Sequence, residues 1–241
     1  MSYIYNTFIY DPLLNLFVLT YQYVGDFGIT IIIVIALLRL ILYPVFKKSA
    51  EQQVMMQRLQ PEIEHIKKTH KDREAQGKAM LELFQKHGTN PFSGPFLMLF
   101  IQLPILIAFY QIILHIMEGV DVSRLYTGIS LLMVDPYFFG LINLGGKSIV
   151  MLLLAAASTL LLTLSANTKN WQRLGSEVSR HKALWLLGPV LVFVFLNYLI
   201  PQAHNAIAIY IVATNFFTAA QQLYVNYQLD ARRSKNEPSL P

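Results

Sequence analysis

The sequence contains no cysteine and few charged residues. Without cysteine, the chain can form no disulfide bond, no lipid-modified cysteine and no thiolate metal site. Charged residues make up 14% of the chain and hydrophobic residues 54%, whereas a soluble domain typically has about 25% charged residues. The chain also lacks a glycine-rich phosphate-binding loop and a nucleophile constellation. We therefore predict an all-α integral membrane protein that is not an enzyme and that needs no cofactor and no metal ion.

The first 24 residues contain no lysine or arginine, so the positive region of a cleaved signal peptide is missing. Asp11-Pro12 is typical of a helix start, with aspartate as the N-cap. The helix that follows is rich in Leu, Phe and Tyr and too short to cross a bilayer. We predict that residues 1–25 form an N-terminal amphipathic helix that lies in the membrane interface on the outer side. The alternative is that this segment is an early part of the first span.

Hydrophobic runs predict five membrane-spanning helices, because about 20 apolar residues are needed to cross the hydrocarbon core. The predicted spans are residues 26–46, 91–117, 148–166, 183–200 and 205–225. Residues 118–147 form an external loop, in which Asp135-Pro136 repeats the helix-start pattern and predicts a second interfacial helix. Residues 167–182 form a cytoplasmic loop and residues 226–241 a cytoplasmic tail.

Residues 47–90 are polar and helix-forming, and they predict a cytoplasmic helical hairpin. Pro61 should end or kink its first arm, whereas Asp72 should cap the second arm and Gly88 should close it. Each arm carries an apolar stripe. The two stripes either pair with each other alone or form a surface that also receives a partner.

The basic residues predict the orientation of the chain. Of the nineteen Lys and Arg residues, nine lie in residues 47–90, four in residues 167–182 and three in residues 226–241. Because cytoplasmic segments are enriched in Lys and Arg, the N-terminus should lie outside and the C-terminus in the cytoplasm. The absence of an organellar transit peptide favours the inner (plasma) membrane of a bacterium.

Arg39 lies deep in the first predicted span, about 12 Å from Lys47 at a rise of 1.5 Å per residue. A guanidinium at that depth costs at least about 3 kcal/mol unless water or polar groups reach it. The other predicted spans contain no Asp, Glu or Lys, but three of them carry neutral polar side chains. We predict that Arg39 and these residues line a water-filled groove open to the cytoplasm: Gln102, Ser158, Thr159, Thr163, Asn215, Thr218, Gln221 and Gln222. The alternative for the neutral residues is that each hydrogen-bonds between packed helices.

Several segments carry a resemblance to a known family: GITIIIVIALLRLILYP, QRLQPEIEHIKKTHKD, NPFSGPFLMLFIQLPILIAFYQ and NFFTAAQQLYVN. In order and spacing, from Asp11 to Tyr227, they resemble the YidC/Oxa/Alb membrane protein insertases. The resemblance implies a five-span core with a hydrophilic groove, and it places the family's groove arginine at Arg39. It places further groove positions at Gln102, Leu103, Pro104, Asn215, Gln221 and Gln222.

The resemblance also implies partners for the chain. These are nascent membrane proteins and the lipid bilayer, with the ribosome and a Sec-type translocon as further partners and no direct contact with nucleic acid. The large periplasmic domain of Gram-negative members and the lipid-anchoring cysteine of Gram-positive members have no counterpart in these residues. The short tail, with three basic residues, argues against strong ribosome binding through the C-terminus.

We therefore predict a membrane protein insertase or chaperone. It would receive hydrophobic segments in the groove, release them laterally into the bilayer and move short polar flanks across. A small-anion transporter or channel that uses Arg39 as its binding site is the alternative. Such a protein would normally need a polar path to both sides, whereas the polar residues here gather in the cytoplasmic half of the predicted spans. A structural assembly factor that translocates nothing is also compatible with the sequence.

Overall fold

The computed structural model describes residues 3–70, 72–89, 95–118, 122–129, 134–171, 187–192, 194 and 204–236. Contacts divide the chain into two compact units. Unit 1 comprises Met1–Ile41 and Leu103–Ala219, and unit 2 comprises Leu42–Gln102 and Ala220–Pro241.

The described residues are mostly helical, with one two-stranded β-hairpin. In chain order the elements are α1 (Tyr3–Tyr5), a π-helical turn (Asn6–Tyr10), α2 (Asp11–Val24), α3 (Phe27–Ile41), α4 (Tyr43–Thr69), α5 (Arg73–Lys86), α6 (Pro95–Glu118), a 3-10 turn (Val122–Arg124), β1 (Tyr137–Phe138), β2 (Ile142–Asn143), α7 (Ile149–Trp171), α8 (187–192) and α9 (His204–Asn236).

Two of the described helical segments are long and apolar enough to cross a membrane, Phe100–Glu118 and Asn205–Gln228. A third is present if α3 and Tyr43–Met56 count as one span. The apolar stretch of α7, Ile149–Ser165, is shorter, and most of the predicted fourth span lies outside the described residues. A mostly helical protein with two or three segments that could span a membrane is therefore confirmed, whereas the count of five stays a prediction.

Two helix ends differ from the predicted boundaries. Helix α3 ends at Ile41, before the boundary predicted at residue 46. Pro44 lies in the first turn of α4, and proline can neither donate a backbone hydrogen bond nor avoid the carbonyl four residues earlier. The helix of the first span therefore cannot continue unbroken through this position. Helix α9 instead runs through most of the predicted tail, to Asn236.

The core of unit 1 forms where α2 packs against α3 and α6. Phe17 lies at its centre, with its ring edge-on to the rings of Phe27 at 5.2 Å and Phe109 at 6.4 Å. All three side chains are fully buried. Helix α2 thus buries one apolar face inside the protein, and its predicted position in the membrane interface stays a prediction.

The predicted N-cap at Asp11 is wrong. Asp11 and the preceding Tyr10 both have helical backbone angles, because the π-helical turn leads directly into α2. The Asp11 carboxylate instead accepts a hydrogen bond from Arg124 Nη1, at 3.0 Å. One turn along α2, the buried Asn15 accepts a bond from the backbone N–H of Tyr126 at 2.6 Å. These distant partners, which no local pattern reveals, fasten the loop after α6 onto α2.

The prediction of an interfacial helix after Asp135-Pro136 is also wrong for the described residues 134–147. These residues form a β-hairpin instead. Tyr137 pairs with Asn143 and Phe138 with Ile142. Phe139 and Gly140, at the turn, both have positive φ, which matches the twist of a tight β-hairpin. The Asp135 N–H donates to the Tyr21 hydroxyl at 2.9 Å, so Asp135 anchors the hairpin to α2 and caps no helix.

In unit 2, α4 and α5 form the predicted hairpin. The Asp72 carboxylate accepts a bond from the Ala75 N–H at 3.1 Å, and Gly88 follows α5 with φ +58°, as predicted for both. Helix α4 continues past Pro61, so this proline does not end the first arm, and the predicted alternative of a kink stays a prediction. The apolar stripes pack against each other, and whether this surface also receives a partner stays open. The packed residues are Leu59, Ile63, Leu83, Met55, Met56, Ile66, Met80 and Phe84.

Candidate functional site

Arg39 is buried in unit 1, with 8% of its surface exposed. Its Nη2 donates to the Thr218 hydroxyl at 2.8 Å and to the Thr214 backbone carbonyl at 3.4 Å. Both acceptors belong to α9, so the guanidinium of α3 is held on the polar face of a neighbouring helix. The hydrogen bonds described for Arg39 are thus made to protein groups, and a water-filled groove around it stays a prediction.

The Thr218 hydroxyl is well suited to hold a cation. Its own hydrogen is donated to the Thr214 carbonyl, four residues earlier, at 2.8 Å. The lone pairs of the oxygen then remain available to accept the bond from Arg39. Thr218 and the Thr214 carbonyl are neutral acceptors, so they position the guanidinium without cancelling its charge.

Asn215 joins α9 to α7 through hydrogen bonds to side-chain hydroxyls. Its side-chain amide donates to the Ser158 and Thr159 hydroxyls, both at 2.9 Å. These hydroxyls in turn donate to the Ala155 carbonyl, at 2.8 Å and 2.9 Å. Both amide hydrogens of Asn215 are thereby satisfied inside a helix pair. This is the helix-to-helix hydrogen bonding that was the alternative to a wet groove.

Thr163 continues the polar face of α7. Its hydroxyl donates to the Thr159 carbonyl at 2.8 Å. Gly188, in α8, approaches the same face, because a Cβ built on it would lie 3.4 Å from Thr159 Cγ2 and 3.8 Å from Thr163 Oγ1. The structure thus gathers six of the nine predicted groove residues in unit 1: Arg39, Ser158, Thr159, Thr163, Asn215 and Thr218.

The other three predicted residues belong to unit 2. Gln222 is buried there, and Gln102 and Gln221 are half-buried. A single groove lined by all nine residues stays a prediction.

Two residues beside Arg39 were not predicted from the sequence. Thr214 supplies the second acceptor through its carbonyl, and the buried Tyr210 precedes Thr214 by one turn of α9. Tyr210, Thr214 and Thr218 are spaced four residues apart, so they occupy one face of α9. That spacing was a usable signal, because it marks the face of α9 that carries hydroxyl groups toward a neighbouring helix.

Comparison with known proteins gives the chain a family. A family model described as "60Kd inner membrane protein" matches residues 19–232, which is most of the chain. The chain belongs to the 60Kd inner membrane protein family. The family consists of insertases and is not a family of enzymes, which agrees with the prediction of a non-enzymatic membrane protein in protein transport.

Several relatives in this family bear the name Membrane protein insertase YidC. The one from Geobacter metallireducens is 28% identical over 225 residues, which are 93% of this chain and 38% of the relative. The one from Geobacter sp. (strain M21) is 30% identical over 217 residues, 89% of this chain and 36% of the relative. The one from Francisella tularensis subsp. novicida is 41% identical over 116 residues, 48% of this chain and 21% of the relative. The chain therefore spans less than two-fifths of the length of these relatives.

Proposed function

We propose that the chain is a membrane protein insertase of a bacterial inner membrane. It receives hydrophobic segments of nascent membrane proteins, moves their short polar flanks across and releases the segments sideways into lipid. The observation that carries this proposal is Arg39, a buried cation in an apolar helix whose Thr218 and Thr214 acceptors are neutral. Family membership supports it independently.

The barrier to insertion is the dehydration of the polar flank. A peptide or carboxylate group loses several kcal/mol of hydration when it enters hydrocarbon without a partner. Arg39 and the hydroxyl and amide groups of α7 and α9 offer hydrogen bonds part of the way across the bilayer. In the proposed mechanism they line a hydrophilic groove open to the cytoplasm, which shortens the apolar path of the flank.

Arg39 acts in this mechanism by exchanging partners. Hydrogen bonds between two charged groups are roughly twice as strong as those between neutral ones. A substrate carboxylate therefore displaces the Thr218 hydroxyl and the Thr214 carbonyl from the guanidinium. Because the guanidinium is mostly buried in protein, the attraction is also less screened than it would be in bulk solution. Substrates with acidic translocated flanks should gain most.

The substrate helix leaves along α7 and α9. Support comes from the large apolar side chains that α7 exposes beside its polar face, among them Leu153, Leu154 and Leu161, and from the exposed Phe216 of α9. In the proposed orientation the N-terminus lies outside and the α4–α5 hairpin lies in the cytoplasm. There the hairpin can capture arriving substrates, with a ribosome and a Sec-type translocon as further partners.

Insertion by the purified chain tests the proposal. Proteoliposomes receive a small single-span substrate with an acidic translocated tail, and protease protection measures insertion. We expect Arg39→Ala to lower insertion about tenfold, which corresponds to roughly 1.4 kcal/mol of lost binding. Arg39→Lys, which keeps the charge, should retain most activity. Equal insertion by Arg39→Glu would rule out the charge model.

Two controls make the result specific. Each variant is compared by its thermal unfolding in detergent, so that a misfolded protein is not taken for an inactive one. The same proteoliposomes are assayed for the flux of small anions. Arg39-dependent flux together with unchanged insertion would favour the anion transporter over the insertase.

A further inference from the structure

We propose that the tip of the β-hairpin is a lipid-binding wedge, which inserts Phe139 and Leu141 into the leaflet next to the start of α3. In the proposed orientation this is the outer leaflet. The inference goes beyond the insertase function and does not depend on it.

The hairpin is fixed to the beginning of α3 by two contacts, made by Phe138 and Phe139. Asp26 Oδ1 accepts a bond from the Ile29 N–H at 2.9 Å, which caps α3, and Asp26 Oδ2 accepts a bond from the Phe139 N–H at 2.6 Å. The ring of Phe138 packs on Gly28 so closely that a Cβ on that glycine would collide with it. The tip is therefore held at the level where the first apolar helix starts.

These contacts leave two large apolar side chains uncovered at the tip. Phe139 is 66% exposed and Leu141 is 83% exposed. The segment from Tyr137 to Gly146 contains no charged residue. A tight turn at the protein surface normally presents polar side chains to water. A protruding apolar tip therefore indicates a partner that is itself apolar.

The backbone of the tip supports the same conclusion. Phe139 has φ +51°, and it is the one non-glycine residue with positive φ in the described part of the chain. Bulky residues are rare in that region, and hairpin turns that need it strongly prefer Asn, Asp or Gly. The turn thus keeps an aromatic side chain where a polar one would fit the backbone better. Contact with lipid gives that choice a physical reason.

Lipid fits this surface better than a protein partner. Phe139 and Leu141 offer a few hundred Å² at most, whereas stable protein interfaces bury about 1,200 Å² or more. Five residues separate the hairpin from α7, which begins with Ile149 and Val150, and both side chains are mostly exposed and apolar. The wedge is therefore followed closely in the chain by a helix that begins with exposed apolar side chains.

Spin labels test the wedge, and the absence of cysteine allows a single label in an otherwise native chain. Leu141→Cys carries the test label. Thr127→Cys, at an exposed polar position of the same loop, is the water control, and Leu153→Cys, on the exposed apolar side of α7, is the lipid control. The proteins are reconstituted in phosphatidylethanolamine–phosphatidylglycerol vesicles. Collisions with oxygen, which concentrates in lipid, are compared with collisions with a water-soluble nickel complex present on both sides.

The wedge predicts that the label at residue 141 collides with oxygen more than with nickel, close to the lipid control. A label at residue 141 that resembles the one at residue 127 would overturn the proposal, because the tip would then lie in water. Protection from both reagents would overturn it as well, because the tip would then be covered by another protein. A Phe139→Asn variant labelled at residue 141 distinguishes the effect of the turn's backbone shape from the effect of the apolar side chain. Asn suits the positive φ, so the turn should persist while the ratio of oxygen to nickel collisions falls.

Discussion

Arg39 shows how neutral groups can hold a buried cation. A carboxylate partner would satisfy the guanidinium but would also compete with any acidic substrate. The hydroxyl of Thr218 and the carbonyl of Thr214 provide hydrogen bonds and fixed dipoles, and they leave the positive charge intact. The residue is thus held in place and still attractive to an anion.

A substitution at Thr218 tests this role at the residue scale. Thr218→Val keeps the shape of the side chain and removes the acceptor, so the buried guanidinium loses one hydrogen bond. We expect the free energy of unfolding in detergent to fall by about 1–2 kcal/mol. This lies between the typical contribution of a hydrogen bond inside a membrane protein and that of a hydrogen bond to a charged group. Equilibrium denaturation measures it.

The matched control is Thr20→Val on α2. The Thr20 hydroxyl donates to the Leu16 carbonyl, four residues earlier, just as Thr218 does to Thr214. A double-mutant cycle with Arg39→Ala isolates the contact, because the Thr218 substitution should then have little further effect. If the loss persists in the Arg39→Ala background, the Thr218 hydroxyl stabilises α9 itself and not the cation.

At the scale of elements, local signals predicted the structure correctly only where no distant contact overrode them. The N-cap at Asp72 and the helix end at Gly88 depend on neighbours within a few residues, and both predictions are confirmed. Asp135-Pro136 has the same local chemistry as a helix start, yet the hairpin there is set by Tyr21 and Asp26, more than a hundred residues earlier. The hydrogen bond between Arg39 and Thr218 likewise joins distant residues, so spacing along the chain could not predict it. The sequence did indicate the polar face of α9 on which Thr218 lies.

The same substitution at two glycines should have opposite effects on two elements. Gly28→Ala places a methyl group against the ring of Phe138, so we expect a loss of about 1–3 kcal/mol, as for an overpacked core. Gly77→Ala, in α5, meets open space and improves helix propensity, so it should stabilise the α4–α5 hairpin by about 1 kcal/mol. Thermal unfolding measures the first, and hydrogen exchange of α5 measures the second. A neutral Gly28→Ala would mean that the β-hairpin is not seated on α3.

At the scale of the whole molecule, the two units have separate apolar clusters. The core of unit 1 is built from α2, α3, α6, α7 and α9, whereas the α4–α5 hairpin encloses its own cluster around Leu59, Ile63 and Leu83. The beginning of α4 packs through Ala50 and Val54 onto Val225 of α9, within unit 2. The cluster of the α4–α5 hairpin therefore shares no residue with the core of unit 1.

Deleting residues 57–86 and joining the ends by a short Gly/Ser linker tests this separation. The deletion retains Ala50 and Val54 on Val225, so unit 1 should unfold at the same temperature as in the full chain, while insertion of substrate falls. Leu83→Ser is the milder companion variant. It places a hydroxyl in the small cluster with Leu59 and Ile63 and should loosen only the hairpin. If either variant lowers the unfolding temperature of unit 1, the hairpin is a structural support. Unchanged insertion would instead show that capture resides in the membrane-spanning helices.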